Sequence, residues 1–178
     1  MFAVGKSQTS DAITDGLSTT IAIAEIGGSG YRSTRRHFAI NQQKKFLGNP
    51  SLTSELVNHS NRYLAEVKLS EKLRGGNWAD GTGGPGLVNT ILPPGSPSVL
   101  VGGQSKVDGF FSASDNHSGL TSVAMCDGST HSVDVNIDAG DQNHPVNSAE
   151  ELIGIESHYG VWGALGSCNG NEKPDTDF

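Results

Sequence analysis

The run Ser112-Ala-Ser-Asp115-Asn116-His117 sets hydroxyls, a carboxylate, an amide and an imidazole side by side, and nine residues after His117 stands Asp127-Gly128. Two chemistries suit such a set. Oxygen-rich loops hold Ca²⁺, which takes roughly six to eight oxygen ligands from carboxylates, amides and carbonyls. Asp115, Asp127, Asp134 and Asp138 are the candidate oxygens for that cofactor. The plainer alternative is that Asp127-Gly128 makes its turn without a metal, while Asn116 or His117 bonds loop amides. His117 is a poor calcium ligand, and its spacing to Asp127 predicts that it packs over the turn or hydrogen-bonds it. The second chemistry is nucleophilic hydrolysis, with Ser114 activated by His117 and the imidazole oriented by Asp115 or Asp127. There is no Gly-x-Ser-x-Gly elbow, and Gly27-Gly-Ser-Gly30 does not match one. No catalytic set is complete.

Other residues carry weaker signals. Trp78 and Trp162 sit in glycine-rich segments, where an exposed indole stacks on a sugar or a partner chain and a buried one fills a core short of large residues. Asp80 lies in the Trp78 loop as a further binding candidate, and with Glu25 it offers a carboxylate pair for glycosidic cleavage, a pairing that no sequence spacing establishes. Cys126 and Cys168 either form one disulfide in an oxidising compartment or remain free, and their spacing is not that of a metal knuckle. Cys126 falls in a β-prone run, which reads as a buried thiol or disulfide partner rather than a nucleophile.

These residues need elements to position them. Gly119 to Cys126 and Thr130 to Ile137 are β-prone runs flanking Asp127-Gly128-Ser129, and an Asp-Gly pair in that setting predicts a hairpin because glycine accepts positive φ freely. In the second run His131, Val133, Val135 and Ile137 alternate with polar residues, so one face is buried and His131 reads as a hydrogen-bonded core or edge histidine. Thr14 to Glu25 reads as a short helical turn followed by a strand. From Ser51 to Leu73 apolar residues recur at three- and four-residue steps, which predicts a long amphipathic helix. Residues 75 to 109 hold ten glycines and the four prolines Pro85, Pro93, Pro94 and Pro97, which predicts an extended surface loop. Ala149 to Ile155 reads as one or two helical turns, and 169–178 as a loosely ordered tail.

Composition bounds the rest. With 178 residues, 34% of them hydrophobic and 24 of them glycine, the chain predicts one α+β domain over 1–178 with a modest core. The formal net charge of -7 argues against nucleic acid as a partner, and the basic group Arg32, Arg35, Arg36, Lys44 and Lys45 reads as a solvated face. No run approaches the length of a membrane span.

The ordered motifs resemble a known family. His117-x9-Asp127-Gly128, Ile13-Thr-Asp-Gly-Leu-Ser-Thr-Thr-Ile21 with Glu25, Arg74-Gly-Gly-Asn-Trp78, Asn89-Thr-Ile-Leu-Pro-Pro-Gly-Ser-Pro97 and Tyr159-Gly-Val-Trp-Gly-Ala-Leu-Gly166 together resemble the prepilin-type H-X9-DG domain of planctomycetes, from about residue 11 to 166. The resemblance implies a pilin-like globular head outside the cytoplasm, with other pilin-like or cell-surface proteins, or glycans, as partners. It also brings to mind calcium near the carboxyl-terminal strands, as in some pseudopilins. Met1 to Ser10 does not match the family's amino-terminal prepilin helix, so the targeting segment is expected to lie outside this chain. The leading expectation is a structural or interaction domain. A secreted hydrolase of glycans or esters with a pocket near His117 is the second, and a solute- or sugar-binding module at the tryptophan loops the third.

Overall fold

The computed structural model describes residues 9–77, 79–103, 108–117, 119–146 and 154–172. Among these the strands are β1 (Ile21–Ala24), β2 (Phe38–Gln42), β3 (Ser98–Val101), β4 (Gly109–Phe110), β5 (Leu120–Met125) and β6 (Thr130–Asp134), with short helices α1 (Lys45–Gly48), α2 (Gly83–Gly86) and α3 (Gly160–Gly166). The class is α+β. The strands form two three-stranded sheets, β1-β5-β6, which is antiparallel, and β2-β3-β4, in which β2 runs parallel to β3 and β4 antiparallel. No helix among the described residues is long and apolar enough to cross a membrane.

The β5–β6 hairpin forms where its turn chemistry puts it. Gly128 takes φ 89°, and the amide and hydroxyl of Ser129 both donate to Asp127 Oδ1, at 2.8 and 2.7 Å. Thr121, Val123 and Met125 point inward from β5, and Val133 does so from β6. Onto that face α3 lays Trp162 and Leu165, with Ile21 and Ala113 completing the cluster. Trp162 is fully buried and its indole N–H donates to the Leu92 carbonyl at 2.9 Å, so the polar end of the ring is satisfied inside the core. A second cluster, around Ala39, Phe46, Tyr63, Val99 and Phe110, lies against the other sheet.

Two expectations are corrected. The long helix over 51–73 is not formed: a 3-10 stretch, Pro50–Leu56, gives way to a bridge between Val57 and Tyr63. Its polar middle explains the failure. The Asn58 side chain accepts the amides of Ser60 and Arg62, Asn61 adopts φ 52°, and the Arg32 guanidinium takes the carbonyls of Tyr63, Leu64 and Val67 that a helix would have used itself.

Residues 75 to 109 are not a surface loop throughout. Ser98 to Val101 is a central strand buried at every position, because a short continuous apolar run is what a strand covered on both faces looks like. Gly83, Gly84 and Pro85 of α2 are buried too, and a Cβ on Gly84 would stand 2.2 Å from the Phe38 ring, so glycine is what lets the ring close on the backbone. Of the tail expected over 169–178, residues 173–178 lie outside the described residues, and Asp15 accepts the amides of Gly170 and Asn171. The helical turns expected at 149–155 fall mostly outside the described residues.

Candidate functional site

Where the two sheets approach, the chain leaving β1 meets the segment entering β5. Glu25 donates its amide to the Ser122 carbonyl at 2.9 Å and accepts the Ser114 amide at 3.0 Å, and a parallel bridge joins Ile26 to Ser114. The Ser114 hydroxyl donates to the carbonyls of Gly27 (3.0 Å) and Arg35 (3.3 Å), which locks the crossing. Asp115 follows, only 3% exposed, and its Oδ1 accepts the backbone amide of His117 at 2.8 Å. That Asx turn folds His117 back beside the carboxylate. One ligand atom from each of Glu25, Asp115 and His117 lies within 4.8 Å of the other two, with Glu25 and His117 exposed and Asp115 buried. Asp115 Oδ2 has no hydrogen-bond partner although it is inaccessible to solvent.

This arrangement differs from both sequence-based constellations. His117 precedes β5 and Asp127 follows it, so the six residues of that strand, about 20 Å of extended chain, separate the imidazole from the turn it was expected to support. Asp127 instead bonds Ser129, whose hydroxyl and amide hold the carboxyl below its ordinary range, and Ser129 Oγ in turn lies 3.3 Å from His131 Nε2. The four aspartates expected around calcium do not converge. Asp134 Oδ1 accepts the amide and side-chain nitrogen of Asn136, and Asp138 Oδ1 accepts the Gly140 amide, so each serves its own turn. Asp115 alone of the four joins the cluster, and Glu25 enters it in place of the others.

The hydrolytic set is also separated. Ser114 is buried with its hydroxyl committed to carbonyl oxygens, and no hydrogen bond links it to His117 among the described residues. The carboxylate that reaches Glu25 is that of Asp115; Asp80 is ion-paired with Lys72 at 2.8 Å and bonded to Thr82, interactions that hold its carboxyl down at about 2. Trp162 belongs to the core and is no surface platform, and Trp78 lies outside the described residues. No disulfide joins Cys126 to Cys168, and burial, with Cys168 and Asp127 nearby, pushes the Cys126 thiol up.

A family model described as "Protein of unknown function (DUF1559)" matches residues 1–140. The chain belongs to the DUF1559 family. Within the DUF1559 match fall Glu25, Asp115, His117 and the whole β5–β6 hairpin, whereas α3 and its Trp162 lie beyond it. No curated protein and no solved structure matches the chain.

Two features of this DUF1559 chain escaped the residue-by-residue reading. The Arg74 guanidinium, 3% exposed, donates to the carbonyls of Gly84 (2.6 Å), Leu87 (2.9 Å) and Ser112 (2.7 Å), and burial draws its pKa down to about 10. Its place in an Arg-Gly block was the signal. The second is a cavity of about 290 Å³ walled by all of Ile21 to Ala24 on one side and by residues 86 to 90 with Gly166 on the other. Successive strand residues point to opposite faces, so a cavity touching four in a row abuts the strand's edge, and β5 occupies the other edge of β1.

Proposed function

We propose that this chain is the interaction head of an extracytoplasmic, pilin-like or secretion-associated protein, and that it meets neighbouring subunits along the free edge of β1. The observation that carries this reading is that edge: the side of β1 away from β5 borders a groove, with Ile23 at 69% exposure and Leu17 also exposed nearby in sequence. A free strand edge presents unpaired amides and carbonyls, and natural proteins either blunt it with charge or use it to pair with another chain. Ile21-Ala-Ile-Ala24 carries no charge to blunt it. The order of motifs from residue 11 to 166 supports a pilin-like setting.

A photoreactive residue at position 23 of the full-length protein in its native cell tests the proposal, with the same residue at Ser132 on exposed β6 as the control. The expected result is crosslinked species at multiples of the protein's own mass or with another pilin-like protein of the same envelope fraction, from position 23 and not from 132. Protein confined to the cytoplasm, or crosslinks of equal yield from both positions, overturns it.

A further inference from the structure

We propose that Glu25, Asp115 and His117 bind one divalent first-row transition-metal cation of the Zn²⁺ class. The proposal is independent of the edge-strand reading. Its first support is geometric: Glu25, distant in sequence, brings a ligand atom within 4.8 Å of one from Asp115 and one from His117. Metal–ligand bonds of about 2.0–2.2 Å require ligand atoms roughly 3.5 Å apart in a tetrahedral site. Glu25 and His117 are exposed, so side-chain rotation alone closes that difference while Asp115 stays fixed.

The second support is Asp115 Oδ2. Its partner oxygen is occupied by the His117 amide, yet Oδ2 is buried with no donor, and neither Asp115 nor Glu25 forms an ion pair among the described residues. A buried carboxylate oxygen without a donor is costly, and a cation removes the cost. The same turn that engages Oδ1 is what brings the imidazole alongside, so the backbone that orphans Oδ2 also delivers the nitrogen ligand.

Donor type selects the cation. Imidazole suits zinc, copper, iron and nickel, whereas calcium and magnesium take oxygen alone, so a site of two carboxylates and one imidazole favours the former group. Two carboxylates and a neutral imidazole balance a 2+ charge. The backbone contacts of Glu25 with Ser122 and Ser114 hold the main chain at Glu25 beside that at Asp115 before any metal arrives, and three protein ligands leave at least one position for water.

The test uses the full chain stripped of metal, titrated with Zn²⁺ by calorimetry and with Co²⁺ by visible absorption. One equivalent is expected to bind, with tetrahedral or five-coordinate cobalt bands. Glu25→Gln and His117→Ala, both at exposed positions, are each expected to weaken Zn²⁺ at least tenfold without altering the metal-free circular dichroism, and the double variant to abolish it. His144→Ala, which dismantles the stacked His144–His158 pair, is expected to leave the affinity unchanged. Absence of saturable Zn²⁺ binding, retention of binding in the Glu25→Gln/His117→Ala chain, loss on His144→Ala, or tighter binding of Ca²⁺ than Zn²⁺ each overturns the proposal.

Discussion

The carboxylate of Asp15 accepts the backbone amide of Gly170 at 2.8 Å, tying the first turn of the described chain to its last segment. The same carboxylate accepts the Ser167 hydroxyl at 2.9 Å and the Asn171 amide at 2.8 Å. Gly170 is buried, so if Asp15 is lost its amide keeps only the Ser167 hydroxyl oxygen at 3.0 Å, while the Asn171 amide and the Ser167 hydroxyl lose the acceptor Asp15 gave them. Leaving a buried donor unsatisfied costs about 1–3 kcal/mol. Asp15→Ala is therefore expected to lower unfolding free energy by about 3 kcal/mol in a urea titration. It should also expose the 167–172 segment to limited proteolysis well before the rest of the chain.

Arg74 makes a sharper demand, because three carbonyls from two segments converge on one planar cation. Lysine keeps the charge but not the fork of donors. Arg74→Lys and Arg74→Met are both expected to destabilise the fold, by about 3 kcal/mol or more, since each leaves buried carbonyls unpaired. Rescue to wild-type stability by lysine would show that charge alone, and not geometry, is what the site needs.

A pair of glycines separates steric need from composition. Gly84→Ala drives a methyl to within 2.2 Å of the Phe38 ring, whereas a Cβ at Gly27 meets nothing within 4 Å. Overpacking of a core typically costs about 1–3 kcal/mol. Thermal melts should show Gly84→Ala well below wild type and Gly27→Ala within a degree or two of it.

His37 supplies a pH dependence. Burial lowers its pKa, the Ser33 backbone opposes this in part, and Arg36 and Arg32 lower it further. The folded chain therefore binds this proton less readily than the unfolded chain, whose histidine titrates near 6.5. Stability from this group is complete above that value, falls as pH drops through it, and levels off below the folded pKa. His37→Gln is expected to flatten the difference in melting temperature between pH 7.5 and 5.5, so that the variant gains on wild type toward acid. An identical slope in both proteins would exclude His37 as the source.

What could be read from residues alone divides by the range of the contacts involved. The hairpin was legible because Asp127-Gly128-Ser129 carries its own turn within three residues. The α+β class followed from composition and from the alternation in β5 and β6. The helix expected over 51–73 failed because apolar spacing does not register that Arg32, some thirty residues upstream, takes the carbonyls of Tyr63, Leu64 and Val67. β3 was hidden by its neighbours: Pro97 before it and glycines after it mark a loop, while the four residues between are a core strand. At the site, His117 and Asp115 were identified and their partner was not. Glu25 is brought to them by the bridge between Ile26 and Ser114, a tertiary contact with no local signature.

The pairing of Ile21 with Met125 also dictates when this protein becomes whole. Loop closure over so long a stretch comes late, and non-local strand pairing is slow relative to local turns. During translation at about 5–20 residues per second, the amino-terminal strand waits many seconds for its mate to leave the ribosome. Throughout that wait Ile21, buried in the finished fold, is bare, and the nascent chain is at its most vulnerable to self-association or to capture by a chaperone.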